Sequence, residues 1–289
     1  MKFANKPTGS NLDAARSFPL GETDFKAIAL LLIRHRPSRM PFFRRLAAAP
    51  SRVVRDPLLL GRIHLNYQAA MHATRAAVYH LPHLDSPALR RRKLQIFIDD
   101  DGLAGGDTHH YQLTRAFGSI GAAFLLDDEA FAEPAELCRH LEAETARFVG
   151  LAAKLYARSL GPWCVIETLS VDWMRALAEA LSVHFPEFGR QPYFAECFTN
   201  AVEERHAAEA LAVTQLILDT RPELIDRTLR DAATIARALD GVWRHLDRIV
   251  RDAIGAAAPD NKRQSRRVGH LRAGSIDHYI RCGTKTAAA

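Results

Sequence analysis

The 289-residue sequence predicts an all-α fold, a single up-down helical bundle of about seven to eight helices, and three observations predict it. Apolar residues recur at helical spacing in a nearly continuous series of segments, most of them opened by a capping residue or a proline. No run alternates apolar and polar residues between hairpin turns, and the β-branched residues are scattered. The connections are mostly two to six residues long, which makes consecutive helices antiparallel neighbours.

The first helix, over 27–36, is apolar on one face and stops before Pro37. A basic connection over 39–55 leads to Asp56-Pro57, an N-cap with proline in the first turn, and the helix it opens runs to Leu81, ahead of Pro82. Ser86-Pro87 repeats that start for a helix ending in Asp99-Asp100-Asp101-Gly102. Asp107-Thr108 caps the next, which continues to about residue 126. Helices follow over 134–159, 162–185, 192–219 and 222–256, each beginning at a proline that a first turn tolerates. The pattern breaks at Ala256. The organisation is therefore an N-terminal extension (1–24), a helical domain (25–256) and a basic tail (257–289).

Composition bounds the function. The formal charge is +6, and residues 261–289 hold seven basic side chains against Asp277 alone, so the body is neutral and the excess lies in the tail. The longest uninterrupted apolar run, 27–33, falls far short of the roughly 20 residues of a membrane span. The N-terminus lacks an apolar leader segment, and Cys138, Cys164, Cys197 and Cys282 form no C-x-x-C. A cytoplasmic protein with free thiols is the expectation, without a membrane partner. A nucleic-acid-binding module using the tail is the outer alternative, disfavoured by the neutral body. Val268, Leu271, Ile276, Tyr279 and Ile280 make the tail too apolar for a solvated arm and suggest a short helix around 275–281 docked on the bundle or on a second subunit.

Four groups of residues could carry chemistry. Glu203 and His206 are three apart, so in a helix they share a face and can converge on one metal, although such pairs also arise on solvated faces. Glu167 lies among Trp163, Val165, Ile166, Leu169 and Val171; a carboxylate there is a ligand, or pairs with an arginine such as Arg175. Asp99, Asp100 and Asp101 crowd the negative end of a helix dipole, a placement a cation would relieve, and His109 and His110 follow in the next first turn. The bland readings are an acidic turn, or pairing with Arg90, Arg91, Arg92 and Lys93. His64, Gln68 and His72 recur every four residues, as an interhelical hydrogen-bond row or a substrate-pocket lining.

The order of these motifs resembles the haem-oxygenase-like diiron oxidases, iron-containing redox enzymes that share their fold with the pyrroloquinoline quinone synthase-like proteins. The resemblance runs from Asp99-Asp100-Asp101-Gly102 through His109-His110, Leu113, Phe117 and Gly121 to 161–167, and then from Pro192-Tyr193-Phe194 to Glu203-x-x-His206. It implies Asp100 or Asp101, His109 or His110, Glu167, Glu203 and His206 as metal ligands, with Glu167, Glu203 and His206 at the catalytic centre. The family's earlier histidine on the last motif falls at Thr199, a poor iron ligand; Glu196, seven residues before Glu203, is the substitute, and Thr199 joins the pocket residues.

The resemblance further implies two Fe(II) ions, the second weakly held, with O₂ as co-substrate and an external electron donor. The expected activity is oxidation of a small, amino-acid-derived substrate in specialised metabolism, by N-oxygenation, desaturation or oxidative C–C cleavage, in a homodimer. The alternative on the same fold is a cofactor-independent oxidase or other small-molecule enzyme using its histidines as acid–base groups.

Overall fold

The computed structural model describes residues 22–72, 86–100, 107–123, 141–199 and 201–257; for residues 22–26, 72, 100, 196 and 199 it describes the backbone alone. The fold is all-α, with no strand among the described residues.

Helix α1 (Glu22–Arg34) begins inside the stretch expected to be an extension. The expected basic connection is itself largely helical, comprising a 3-10 turn (Pro37–Arg39), α2 (Pro41–Ala48) and the single turn α3 (Ser51–Val54). Pro41 opens α2, and Phe42, Phe43 and Leu46 make a buried stripe that the intervening Arg44 and Arg45 obscure in the sequence. Then come α4 (Pro57–His72), α5 (Pro87–Asp100), α6 (His109–Ser119) and α7 (Ala143–Tyr156).

Helix α8 (Gly161–Ser182) is the centre of the bundle. Between Gly161 and Leu181 only Asp172, Arg175 and Glu179 escape burial, as expected of a helix with neighbours all round. Its first residue must be glycine, because a Cβ there would lie 2.1 Å from the Thr228 carbonyl oxygen.

The expected helix over 192–219 is two helices, α9 (Pro192–Thr199) and α10 (Val202–Thr220). Ala201 between them has φ 51°, a left-handed conformation that a continuous right-handed helix cannot contain. After a 3-10 turn (Pro222–Leu224), α11 (Ile225–Ala256) runs for 32 residues. Its buried face follows helical spacing through Ile235, Leu239, Val242, Leu246 and Ile249.

α8 packs against α2, α7, α9, α10 and α11; α11 also covers α2, α4 and α7; α5 lies on α10, and α6 on α4 and α9. Trp243 of α11 gathers the aromatic core, with ring centroids 5.2 Å from Phe43, 6.0 Å from Trp173 and 6.1 Å from Tyr67. The buried acids of α11 are each met by a basic side chain from another element. Arg158 holds Asp231 at 2.6 Å, His35 holds Asp240 at 2.7 Å and Arg45 holds Asp247 at 2.6 Å. These pairs compensate charges whose burial would otherwise be costly.

Candidate metal centre

A second set of buried acids lies where α8 meets α10. Glu167, on the second turn of α8, is 6% exposed; Glu203 and His206, on the first turns of α10, are 2% and 3% exposed. One ligand atom from each of the three lies within 4.8 Å of the others. The helical periodicity of α10 puts Glu203 and His206 on one face, and the α8–α10 contact brings that face to Glu167. Glu203 and Glu204 occupy the first turn of α10, where the helix dipole favours negative charge.

The neighbouring groups orient these three. The Ser170 hydroxyl, with one proton to give, lies within hydrogen-bond reach of two acceptors, Glu203 Oε2 at 3.0 Å and the Glu167 carbonyl oxygen one turn back at 2.7 Å. Asp99, in the last turn of α5, puts Oδ2 3.2 Å from His206 Nε2. That carboxylate–imidazole pairing typically fixes the ring of a metal-bound histidine; with the proton on Nε2, Nδ1 keeps its lone pair. Arg175 engages Glu204 at 3.3 Å.

The other expected ligands fall into three places. His109 begins α6, whose first turn is fixed by Thr108 accepting from the Tyr111 amide at 3.0 Å; its Nδ1 stands 3.7 Å from Glu203 Oε1. His110, next in sequence, points to α4 instead, where the Gln68 amide meets its ring and its carbonyl oxygen. Asp101 and the side chains of Asp100, Glu196, Thr199 and His72 lie outside the described residues, as does the tail beyond residue 257 with its expected docked helix.

Among the expected pocket residues, His64 and Gln68 are buried and share Thr114, whose Oγ1 is 3.2 Å from Gln68 Oε1 and 3.5 Å from His64 Nε2. Burial drives the His64 imidazole down to about 3, against a smaller opposing effect of Gln68, so this ring is neutral at physiological pH.

Sequence reasoning passed over four residues at the centre. Asp99 was the least favoured of its run, and Ser170 was not considered. Cys197 was read as one of four scattered thiols. It is completely buried on α9, with Sγ 3.6 Å from Glu203 Oε1, and it forms a second ligand group with His109 and Glu203, again within 4.8 Å. Lys93 enters the sequence reading only as one of four cations that could pair with the acidic turn, yet it is the one member of that run that α5 turns fully inward, its Nζ 4.8 Å from the Trp163 ring centroid. Burial lowers its ammonium to about 7, with the charge of Glu167 pulling the other way. Tyr67 is close enough that, after burial itself, the charges of Cys197 and Glu203 hold its phenol well above the usual range.

The donor set suits a divalent cation. Two carboxylates and an imidazole are hard to borderline ligands of the kind that hold Fe(II), Mn(II) or Zn(II). Bonds of about 2.1 Å to such an ion place ligand atoms roughly 3–4 Å apart, so clusters within 4.8 Å need only side-chain adjustment. Two buried carboxylates this close repel unless a cation stands between them. No described helix is long and apolar enough to cross a membrane. No family model matches the chain, and no curated protein matches it.

Proposed function

We propose that the protein is a non-haem iron-dependent, O₂-activating oxidase or oxygenase of the haem-oxygenase-like kind, acting on a small substrate. One observation carries the reading: Glu167, Glu203 and His206 converge from two adjoining helices in the interior of an all-α bundle.

Glu167, Glu203 and His206 would hold the metal. When bound, a ferrous ion supplies the redox chemistry with O₂ that no side chain here can supply. The chain's own contribution is positioning. Ser170 holds one oxygen of Glu203, which leaves Oε1 facing His109 and Cys197. Asp99 holds the His206 ring, and the aromatic shell of Trp163, Tyr193 and Tyr67 keeps bulk water from the carboxylates. Lys93 supplies a removable positive charge beside Glu167, suited to exchanging a proton at Nζ as charge at the centre changes.

The test is activity and metal content together. Substrate consumption should require Fe(II) and O₂ and be abolished by Glu167→Gln and His206→Ala. Full turnover in excess chelator would replace this reading with a metal-independent one, in which Lys93 and the histidines act as acids and bases.

A further inference from the structure

Cys197 and His109 lie outside the Glu167–Glu203–His206 group, yet both approach Oε1 of Glu203, the oxygen that Ser170 does not hold. We propose that Cys197 is a metal ligand, its thiolate joining His109 and a shared Glu203 in a second cation position beside the Glu167–Glu203–His206 group. The proposal rests on the metal-centre reading above and specifies its second position.

Three observations support it. The ligand atoms of His109, Cys197 and Glu203 lie within 4.8 Å of one another, with Cys197 completely buried. Glu203 Oε1 is the shared element, 3.6 Å from Cys197 Sγ and 3.7 Å from His109 Nδ1, while Oε2 takes the Ser170 hydroxyl. A carboxylate presenting its two oxygens to different neighbours is disposed to serve two cations.

The backbone supplies the third observation. Residues 197 and 203 are six apart, which in an unbroken helix sets their side chains about 120° apart around the axis and about 9 Å apart along it. α9 ends at Thr199, the left-handed Ala201 caps the start of α10, and across this break Cys197 and Glu203 stand beside each other. A non-glycine residue in that conformation is strained by about 1–2 kcal/mol, a cost that sites of function commonly retain.

The other described cysteine shows the contrast. Cys164 is equally buried on α8, but burial raises its thiol to about 12, opposed by hydrogen bonding to Thr214 and Thr168, and it belongs to no ligand group among the described residues. It packs, whereas Cys197 faces a carboxylate and an imidazole.

A thiolate, imidazole and carboxylate set is softer than the first position and suits Fe(II), Co(II) or Zn(II). Binding releases the thiol proton to solvent, and no electron is transferred.

Cobalt(II) reports the bond directly. Anaerobic titration of the full chain with Co(II) should fill two positions and develop an intense near-ultraviolet thiolate-to-cobalt band with one of them. Cys197→Ser should abolish that band and reduce the stoichiometry from two to one, leaving the visible cobalt bands of the other position. Should Cys197→Ser fail to fold, the band must persist in a variant with alanine at Cys138, Cys164 and Cys282, which assigns it to Cys197 by leaving no other thiol. Cobalt bound without the band, or a band retained in Cys197→Ser, overturns the proposal while the first position stands. If the wild-type chain binds no cobalt, or if Glu167→Gln and His206→Ala do not affect binding, the metal-centre reading fails with it.

Discussion

Lys93 and His64 are two bases that the fold buries, and each makes stability depend on pH in a stated window. Lys93 titrates near 7 in the folded chain and at 10.5 when exposed, so between those values the unfolded state holds the extra proton and stability rises with pH. Lys93→Met should flatten that rise, and at pH 6.5 it should stabilise the metal-free protein by about 1–4 kcal/mol in urea unfolding. The same change removes positive charge beside Glu167, so divalent cations should bind severalfold more tightly; weaker binding would mean that Lys93 supports the site rather than opposing its charge. His64 titrates near 3 folded against 6.5 exposed, so stability falls as pH drops from 6.5 toward 3. His64→Leu should remove most of that acid sensitivity, read as the pH dependence of the urea midpoint. Neither residue's environment is legible in the sequence, because it depends on which face of α4 or α5 the bundle covers. Glu203 and His206 were legible because three-residue spacing on a helix is a local rule. Choosing His109 over His110, or finding Asp99 beside His206, requires the angle at which α6 and α5 approach α10.

The break between α9 and α10 is the element that sets the site, and its residue chemistry makes it testable. Ala201→Gly should preserve metal binding and raise stability by up to about 1 kcal/mol, since glycine accepts a positive φ without strain, although its unfolded chain is more flexible. Ala201→Val should lower stability and loosen metal binding together, because a β-branched residue resists that conformation. If both substitutions behaved as ordinary helix changes, with valine better than glycine, the break would be disproved. The sequence marks it only faintly: 192–219 has helical periodicity throughout and neither glycine nor proline at the junction, and the one local signal is Thr199-Asn200 ahead of Glu203, residue types that favour a helix start. The expectation of Glu196 as a ligand counts seven residues to Glu203 along one unbroken helix; its side chain lies outside the described residues, and the same assumption of continuity hides Cys197. Gly161 marks the other fixed point. Gly161→Ala would drive a methyl group into the Thr228 carbonyl and should cost about 2 kcal/mol or more, measured by thermal unfolding.

For the molecule as a whole, the all-α class follows from periodicity and short connections, and the amphipathic α11 and the enclosed α8 bear that out. The neutral body foreseen from the charge distribution is organised as two acidic interiors. One, along α11, is paired with Arg158, His35 and Arg45; the other gathers Asp99, Glu167 and Glu203 around His109 and His206. Among the described residues the second alone has the ligand geometry of a cation site, so metal should stabilise the entire fold by mass action. A divalent ion at one hundred times its Kd should add about 2.7 kcal/mol, a rise in Tm of roughly 5–10 °C. The most direct test of the account is anaerobic Fe(II) titration followed by Mössbauer spectroscopy of the wild-type chain, Glu203→Ala and His206→Ala. Tightly bound high-spin Fe(II) in the wild type, with loss of both positions in Glu203→Ala and of one in His206→Ala, is the predicted result; iron binding that is absent in the wild type, or unchanged in both variants, would contradict it.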